Sequence, residues 1–313
     1  MKLFRTALSL VAVSAFTAVV ALAFPDTTPL TWVSGTGEDT GNCNRSEPCA
    51  TFAYALSVTS AGGEIDAVDA GNFGQVLITK SVTIDGGTVA FYTPPARPAT
   101  SKPPLPTEHY GIQVNAPGAT VTLRNLKIQG FGSGQVGILF EGGTALHIEH
   151  CTISNFIDDG ILIQGNTDNQ VFIEDTISRD NGNAGLGIEN SGGYSYVQIS
   201  DSHFANNVNG IESGSASRTT VRNSDVSGNS AAGFRSDATH GSSFLSVTDS
   251  AATHNGVGAQ AGGTDKVTWV RLSNVLLIGN SPGINVLPGG TVASWGNNHN
   301  GDNGSPNAQL APQ

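Results

Sequence analysis

The chain has 313 residues, of which 40 are Gly and only 12% are charged, against averages of about 7% Gly and about 25% charged residues. A long helical protein is excluded because it would be rich in Ala, Leu, Glu, Lys and Arg, and collagen is excluded because the glycines show no three-residue period. A hydrophobic content of 38% is enough to build a core, which argues against disorder. We therefore expect a turn-rich β protein.

Residues 1–23 are predicted to be a secretory signal peptide. Lys2 and Arg5 form a basic start, residues 6–20 are apolar and uncharged, and Ala21-Leu22-Ala23 fits the cleavage rule. An uncleaved membrane anchor is the alternative, since about 18 apolar residues just span a bilayer. Without this segment, 12 of the 14 basic residues remain against 25 acidic ones. This balance makes nucleic acid and membrane poor partners and would repel an anionic polysaccharide unless a cation bridged it.

Residues 24–60 are expected to form an N-terminal cap. Cys43 and Cys49 flank a turn-forming stretch, and export would allow them to form a disulfide, with two free thiols as the alternative. Residues 51–60 are predicted to be a short amphipathic helix that covers the first coil of the structure that follows.

Residues 61–298 contain an internal repeat in which a Gly is followed by an apolar residue every 23–26 positions. The eight repeat glycines are Gly111, Gly137, Gly160, Gly185, Gly210, Gly233, Gly258 and Gly283. Each repeat holds three short runs rich in β-branched residues, which predicts three strands per coil and no helix. A Pro-rich stretch, residues 91–110, is predicted to leave the repeat as a surface loop, and residues 299–313 are predicted to be a polar, loosely ordered tail.

Three inward-facing columns follow from stacking the repeats. They are Ile112, Ile138, Ile161, Leu186, Ile211, Phe234 and Ile284; Leu123, Ile148, Ile173, Ile199, Val221, Val247 and Leu272; and Leu126, Cys151, Thr176, Ser202, Ser224, Ser250 and Val275. Cys151 is therefore expected to be a small buried residue and not a nucleophile.

A Gly and an Asn recur at the predicted coil corners. We expect the repeat glycines to adopt positive φ, which Gly takes freely and Asn tolerates. We also expect the asparagines to stack in one structural column, comprising Asn155, Asn181, Asn206, Asn229, Asn255 and Asn280.

With its Asn-x(2–4)-Gly-Ile repeat from about Trp32 to Asn298, the chain resembles the right-handed parallel β-helices of the pectate-lyase-like superfamily. Residues 31–35 (TWVSG), 50–52 (ATF), 62–65 (GGEI) and 295–298 (WGNN) are similar to segments of secreted bacterial β-helix proteins with no assigned activity. The resemblance implies an all-β, right-handed parallel β-helix with a short N-terminal capping helix, here of nine or ten coils. A leucine-rich repeat has a comparable period but lacks three strands per turn.

No catalytic motif of related β-helix enzymes is complete. Asn166-Thr167-Asp168 follows Asp158-Asp159, the reverse of the order in polygalacturonases, and His240-Gly241 lacks the preceding Gly. The acidic residues are scattered and the seven histidines show no metal-ligand spacing, so we expect no cofactor; Ca²⁺ is possible but no motif supports it.

Repeat registration gives a better candidate site on the first strand of each coil. Counting two and four residues past each repeat glycine gathers charges on three successive coils, at Glu189, Glu212, Arg235 and Asp237. Coil and strand spacings place the Glu189 and Glu212 backbones about 8 Å apart and those of Glu189 and Asp237 just under 10 Å apart. This permits the carboxyl separation of an inverting glycosidase. A solvated face, in which Arg235 pairs with Glu212 and Asp237, is the alternative.

We therefore expect a secreted or periplasmic protein that presents one β face to a polysaccharide. If it is an enzyme, it is a polysaccharide lyase or glycoside hydrolase, and its cleft would be walled by the Pro-rich loop. The alternative is a non-catalytic surface, adhesive or structural repeat protein. Polysaccharide binding predicts exposed aromatic residues along one face; the repeat register supplies few, Phe172 on the second strand being the clearest. The sequence indicates no oligomeric state.

Overall fold

A computed structural model describes residues 28–92, 109–263 and 266–310. The predicted signal peptide at 1–23 and residues 93–108 of the Pro-rich stretch lie outside them. The described chain contains one helix, α1 (Phe52–Val58), and 28 strands. In chain order, the first fourteen strands are β1 (Thr28–Val33), β2 (Thr59–Ala67), β3 (Val76–Ile78), β4 (Val82–Tyr92), β5 (Tyr110–Asn115), β6 (Thr120–Gln129), β7 (Val136–Gly142), β8 (Ala145–Glu149), β9 (Thr152–Ser154), β10 (Ile161–Ile163), β11 (Asn169–Glu174), β12 (Ile177–Arg179), β13 (Ala184–Ile188) and β14 (Ser195–Ser200). The remaining strands are β15 (His203–Ala205), β16 (Asn209–Ser213), β17 (Ser217–Arg222), β18 (Asp225–Ser227), β19 (Ala232–Asp237), β20 (Ser243–Thr248), β21 (Ala251–Thr253), β22 (Val257–Gly262), β23 (Thr268–Ser273), β24 (Leu276–Ile278), β25 (Ile284–Val286), β26 (Gly290–Ser294), β27 (His299–Asn300) and β28 (Ala308–Gln309).

The strands form a parallel β-solenoid. Within the described residues, a 19-stranded sheet contains the long and short strands of each coil, and a 9-stranded sheet contains the third strand. Successive strands of the smaller sheet are separated by one coil, so its nine strands span about eight turns. The all-β parallel solenoid is thus confirmed, with slightly fewer turns than the nine or ten coils expected.

All three inward columns are confirmed. Ile161 pairs with Ile138 on one side and with Leu186 on the other, and these three side chains are fully buried. Because a three-residue strand cannot bury an apolar face alone, the core forms only when like positions stack from coil to coil.

The N-terminal cap closes the first coil. Thr51 is the N-cap of α1, and its hydroxyl accepts a hydrogen bond from the Tyr54 N–H at 3.1 Å. The helix buries Phe52, whose ring lies 4.9 Å from that of Phe73. The predicted helix is therefore confirmed, although it ends at Val58 and Thr59 already begins β2.

The predicted Cys43–Cys49 disulfide is present, and both residues are buried. Cys151 is also buried, as predicted, and burial raises the pKa of its thiol to about 12. Its Sγ donates to the Glu149 carbonyl at 3.2 Å, in the same way that the Thr176 hydroxyl donates to the Glu174 carbonyl at 2.9 Å. The thiol therefore acts as one member of a column of short side chains.

The expectation that the repeat glycines adopt positive φ is wrong. None of the eight has positive φ; that conformation occurs instead at two other corners of the coil, which are occupied mainly by Asn, Asp and His. A β-carbon at Gly210 would lie 2.7 Å from the carbonyl oxygen of Gly233 on the next coil. The same clash, at 2.3–3.0 Å, recurs from Gly111 to Gly258. Close approach of neighbouring coils is what requires glycine there.

The expected asparagine column combines two different positions. Asn155 and Asn206 adopt positive φ at a corner, whereas the buried ladder consists of Asn181, Asn207, Asn229, Asn255 and Asn280. The side-chain oxygen of Asn207 accepts from both the backbone N–H and the Nδ2 of Asn181, each at 3.0 Å. Each lower rung repeats this pattern, and Asp302 accepts the last pair of bonds, from Asn280. The ladder satisfies buried backbone donors at every turn.

The C-terminal segment is more ordered than expected. Strand β27 pairs with β24, and β28 pairs with β26, so residues 299–300 and 308–309 extend the large sheet. The prediction of a loosely ordered tail from 299 is therefore wrong for the described residues, because backbone pairing, rather than apolar content, holds this segment on the last coil.

Candidate functional site

The predicted charge cluster lies on three adjacent strands of the smaller sheet, β13, β16 and β19. Gly187 pairs with Glu212, and Glu212 pairs with Arg235 on the next coil. By the same register Glu189 lies opposite Gly214, and Asp237 lies one coil further in that column. The four residues predicted from the repeat are therefore brought together.

Glu212 is half-buried at the centre of the cluster. Its Oε2 accepts a hydrogen bond from the Asn209 side chain at 2.8 Å, and its Oε1 lies 3.7 Å from the Arg235 guanidinium. Burial raises the pKa of Glu212, and the negative charges of Asp237 and Glu189 act in the same direction, against the opposing effect of Arg235. Glu212 is thus a carboxyl group suited to holding a proton.

Arg235 pairs more closely with Asp237 than with Glu212. Its Nη2 lies 2.5 Å from the Asp237 Oδ2, whereas Glu189 is exposed and accepts one hydrogen bond, from Gln164 at 3.3 Å. The predicted pairing of Arg235 with both acids is present, and it leaves Glu189 outside the ion-pair network.

Counting from the repeat glycines did not identify Asp159 as a member of the site. Asp159 is buried, and its Oδ1 accepts from the Ala184 N–H at 2.7 Å and from Asn183 at 3.0 Å. Burial raises its pKa to about 7; the Ala184 N–H opposes this shift, and the charges of Asp158, Glu189 and Glu212 add to it. Asp159 stands outside the register counted from the repeat glycines. Only the folded structure shows that it lies next to Gly187.

A cavity of about 460 Å³ opens over the cluster, with Glu189, Glu212 and Asp237 among its lining residues. Its walls come from the loops that follow the strands, through residues such as Asn190, Ser215 and His240. The Ser215 hydroxyl accepts from the backbone N–H of His240 at 2.9 Å and so holds this wall in place. The wall expected from the Pro-rich stretch concerns residues 93–108, which lie outside the described residues. The volume is in the range of small-molecule sites.

In the described parts of the chain, one group of three carboxylates is close enough to share a cation: Glu64, Asp66 and Asp85. The Arg124 guanidinium already contacts Glu64, and its Nε lies 2.6 Å from Asp85. Burial, followed by the charges of Glu64 and Asp85, raises the pKa of Asp66 to about 6. We interpret this group as an arginine-neutralised acidic cluster.

One face carries more aromatic residues than the repeat register supplied. The outer face of the large sheet carries Phe172, Tyr196, Phe244 and Trp269 on neighbouring strands, with Arg218 and Arg271 against their rings. The register counted above covers only strands of the smaller sheet. In the sequence, Tyr196, Phe244 and Trp269 each stand three residues before a member of the second inward column, as Tyr196 does before Ile199. Counting from that column identifies them.

The sequence profile described as right handed beta helix region matches residues 110–192 and 136–299. The chain therefore belongs to this family. No curated protein matches it. Of the described helices, none is long and apolar enough to cross a membrane.

Solved structures with this fold are distant in sequence. Pectate lyase Pel9A is 17% identical with a TM-score of 0.50, over 88% of this chain and 73% of that one. The Dettilon tailspike protein is 13% identical (TM-score 0.46; 83% and 60% covered), and the GH136 lacto-N-biosidase of Eubacterium ramulus is 11% identical (TM-score 0.47; 85% and 60% covered). The chain thus spans 60% of the tailspike and lacto-N-biosidase chains. These likenesses show the fold alone.

Proposed function

We propose that this chain is an exported polysaccharide-binding protein that hydrolyses a glycosidic bond in the cavity over β13, β16 and β19. The observation that carries the proposal is Glu212: a half-buried carboxyl with a raised pKa in a cavity that also contains the exposed carboxylate of Glu189. The buried disulfide supports export, since such bonds persist in oxidising compartments. The shared fold with a pectate lyase is compatible with a polysaccharide substrate.

The backbone spacing permits the carboxyl separation of hydrolysis with inversion. Glu189 lies one coil from Glu212 and two residues further along the strand, so their backbones are separated by about 8 Å. Inverting enzymes hold their two carboxyls about 6.5–9.5 Å apart, which leaves room for a water molecule. A retaining enzyme needs a closer pair.

Each carboxyl then has one role. The Glu212 carboxyl donates its proton to the glycosidic oxygen as the bond from that oxygen to the anomeric carbon breaks. A water molecule adds to the anomeric carbon from the opposite face and gives its proton to the Glu189 carboxylate. Arg235 forms its closer ion pair with Asp237. This pairing limits how strongly the guanidinium charge lowers the pKa of Glu212.

The test is a panel of neutral and acidic polysaccharides, scored for retention on the immobilised protein and for new chain ends. We expect new reducing ends from a retained polysaccharide and their loss in the Glu189→Gln/Glu212→Gln double variant. Glu141→Gln is the matched control, because Glu141 lies on the same sheet and accepts from Gln113 at 2.6 Å. Unsaturated ends formed together with the new reducing ends would show elimination and contradict the proposal, as would activity that survives the double variant.

A non-catalytic surface protein is the second candidate, and the Arg235 ion pairs favour it. They occupy Asp237 and partly occupy Glu212, as expected of a solvated charged face. The same panel separates the two functions, since this candidate predicts retention with no new ends of either kind.

A further inference from the structure

A continuous column of aromatic and arginine side chains runs along the outer face of the large sheet, which is a different face from the acidic cavity. Tyr196 pairs with Arg218, Arg218 with Phe244, and Phe244 with Trp269, on four successive strands β14, β17, β20 and β23. These four residues, together with Tyr194 and Arg271 beside them, are called the aromatic stripe here. Neighbouring strands lie about 4.8 Å apart, so the stripe follows the axis of the solenoid.

The arginines of the stripe lie against its rings. The Arg218 guanidinium carbon is 5.0 Å from the Phe244 ring centre and 5.7 Å from that of Tyr194. The Arg271 guanidinium carbon is 5.0 Å from the Trp269 ring centre and 6.0 Å from that of Phe244. Cation–π contacts of this kind fix the planes of the guanidinium groups while their N–H edges remain free to donate.

These guanidinium groups have no acidic partner among the described residues: the ion pairs found there involve Arg124, Arg179, Arg235 and His150. The chain as a whole has a net charge of −11, whereas Arg218, Arg222 and Arg271 lie on strands of the same sheet and form no ion pair with a described residue. Unpaired, pre-oriented guanidinium groups are suited to carboxylate or sulfate groups, which they bind with two parallel hydrogen bonds.

A shallow groove of about 500 Å³ lies beside the stripe on the same sheet. Its polar lining consists of hydroxyl and amide side chains with one further arginine and one carboxylate: Gln198, Ser200, Thr220, Thr248, Arg222 and Glu174. Phe172 is at one side of it, stacked on His147 at 4.7 Å. Side chains of this type donate to and accept from the hydroxyl groups of a ligand.

We propose that the aromatic stripe and this groove bind a linear anionic polysaccharide along the solenoid axis. Its sugar rings stack on the aromatic faces, its carboxylate or sulfate groups pair with Arg218 and Arg271, and its hydroxyls meet the polar groove. The arginines replace the bridging cation that an acidic protein would otherwise need. This surface is separate from the cavity, and binding here does not depend on the cleavage proposed there.

Two polymer pairs test the proposal, each matched in backbone and different in charge. Alginate and its propylene glycol ester probe carboxylates, and dextran sulfate and dextran probe sulfates. We expect the full-length mature protein to bind at least one charged polymer at least about tenfold more tightly than its neutral counterpart, which corresponds to about 1.4 kcal/mol. Equal affinity within both pairs, or no binding of any of the four polymers, would overturn the proposal.

Two double variants locate the surface. Arg218→Gln/Arg271→Gln should weaken binding of the charged polymer at least about tenfold, and Trp269→Ala should weaken it with no change in charge. Arg45→Gln/Arg179→Gln removes the same number of charges elsewhere and should leave the affinity unchanged. Equal losses in both double variants would show non-specific attraction and overturn the proposal.

Single-stranded nucleic acid is the competing ligand, because bases also stack on aromatic side chains beside arginines. Oligo-dT that bound more tightly than either charged polysaccharide, and lost affinity in the same stripe variants, would overturn the proposal in favour of a nucleic-acid surface. Glu189→Gln/Glu212→Gln should leave polysaccharide binding to the stripe intact. Loss of cleavage with retained binding therefore separates failure at the cavity from failure at the stripe.

Discussion

The carboxylate of Asp159 lies over the α-carbon of Gly187, where a β-carbon would come within 3.3 Å of both carboxylate oxygens. Because Gly187 pairs with Glu212, this contact brings a second carboxyl with a raised pKa up to the charge cluster. Glycine at this point of β13 is therefore part of the architecture of the candidate site.

Asp159 predicts how stability depends on pH. An unfolded Asp loses its proton near pH 3.9, whereas the folded protein keeps this proton up to about pH 7. Between these values the folded state binds more protons, so its stability falls as pH rises. Relative to Asp159→Asn, which keeps an acceptor for the Ala184 N–H, we expect the wild type to lose up to about 4 kcal/mol between pH 4 and 7. Urea titrations at several pH values measure this, and parallel pH profiles for the two proteins would contradict it.

Asn207 and Asn206 are neighbours with different expected costs of substitution. Asn207→Ala leaves two buried donors of Asn181 without their acceptor, so the free energy of unfolding should fall by at least about 2 kcal/mol. Asn206 is exposed at positive φ, which Gly also adopts, so Asn206→Gly should change it by less than about 0.5 kcal/mol. Urea denaturation compares them, and similar losses in both would show that the ladder is not the stabilising element.

Alanine substitutions at Gly210 and Gly142 test whether close approach of neighbouring coils, and not backbone conformation, is what requires glycine. A β-carbon at Gly210 would lie 2.7 Å from the Gly233 carbonyl oxygen, while at Gly142 the nearest atom would be 3.6 Å away. Gly210→Ala should therefore cost about 1–3 kcal/mol through overpacking. Gly142→Ala should be neutral or stabilise by up to about 1 kcal/mol, since Ala lowers the entropy of the unfolded chain. Thermal and urea unfolding of both variants tests this, and a tolerated Gly210→Ala would refute the steric explanation.

Cys151 should be chemically silent in the native state. Its thiol is buried with a pKa of about 12, and only the thiolate reacts. We expect a thiol reagent to label nothing in the native protein and one thiol after denaturation without reductant. Cys151→Thr should be tolerated, because Thr176, at the same position one coil further on, donates to the Glu174 carbonyl in the equivalent way. Rapid native labelling of Cys151 would contradict the structural role.

Much of the fold could be predicted because a solenoid repeats its core in sequence. Ile138, Ile161 and Leu186 are one register apart and stack directly, so counting residues was enough. The roles of Gly210 and Asn207 could not be obtained by counting, because they depend on contacts with Gly233 and Asn181 on neighbouring coils.

The candidate site was predicted in part for the same reason. Glu212 and Arg235 share a register and pair across coils, whereas Asp159 reaches the cluster from the turn before its strand. The aromatic stripe lies on long strands whose outward positions are counted from a different column, so Tyr196 and Trp269 were not identified from the repeat glycines.

The central claim is that Glu212 acts as the acid in a hydrolytic cavity. The most direct test is the initial rate of reducing-end release from a retained polysaccharide by the wild type, Glu212→Gln and the Glu141→Gln control. We predict a rate at least about 100-fold lower for Glu212→Gln, as expected for loss of a general acid, and an unchanged rate for Glu141→Gln. Equal rates for the wild type and Glu212→Gln, with both folded, would contradict the assignment.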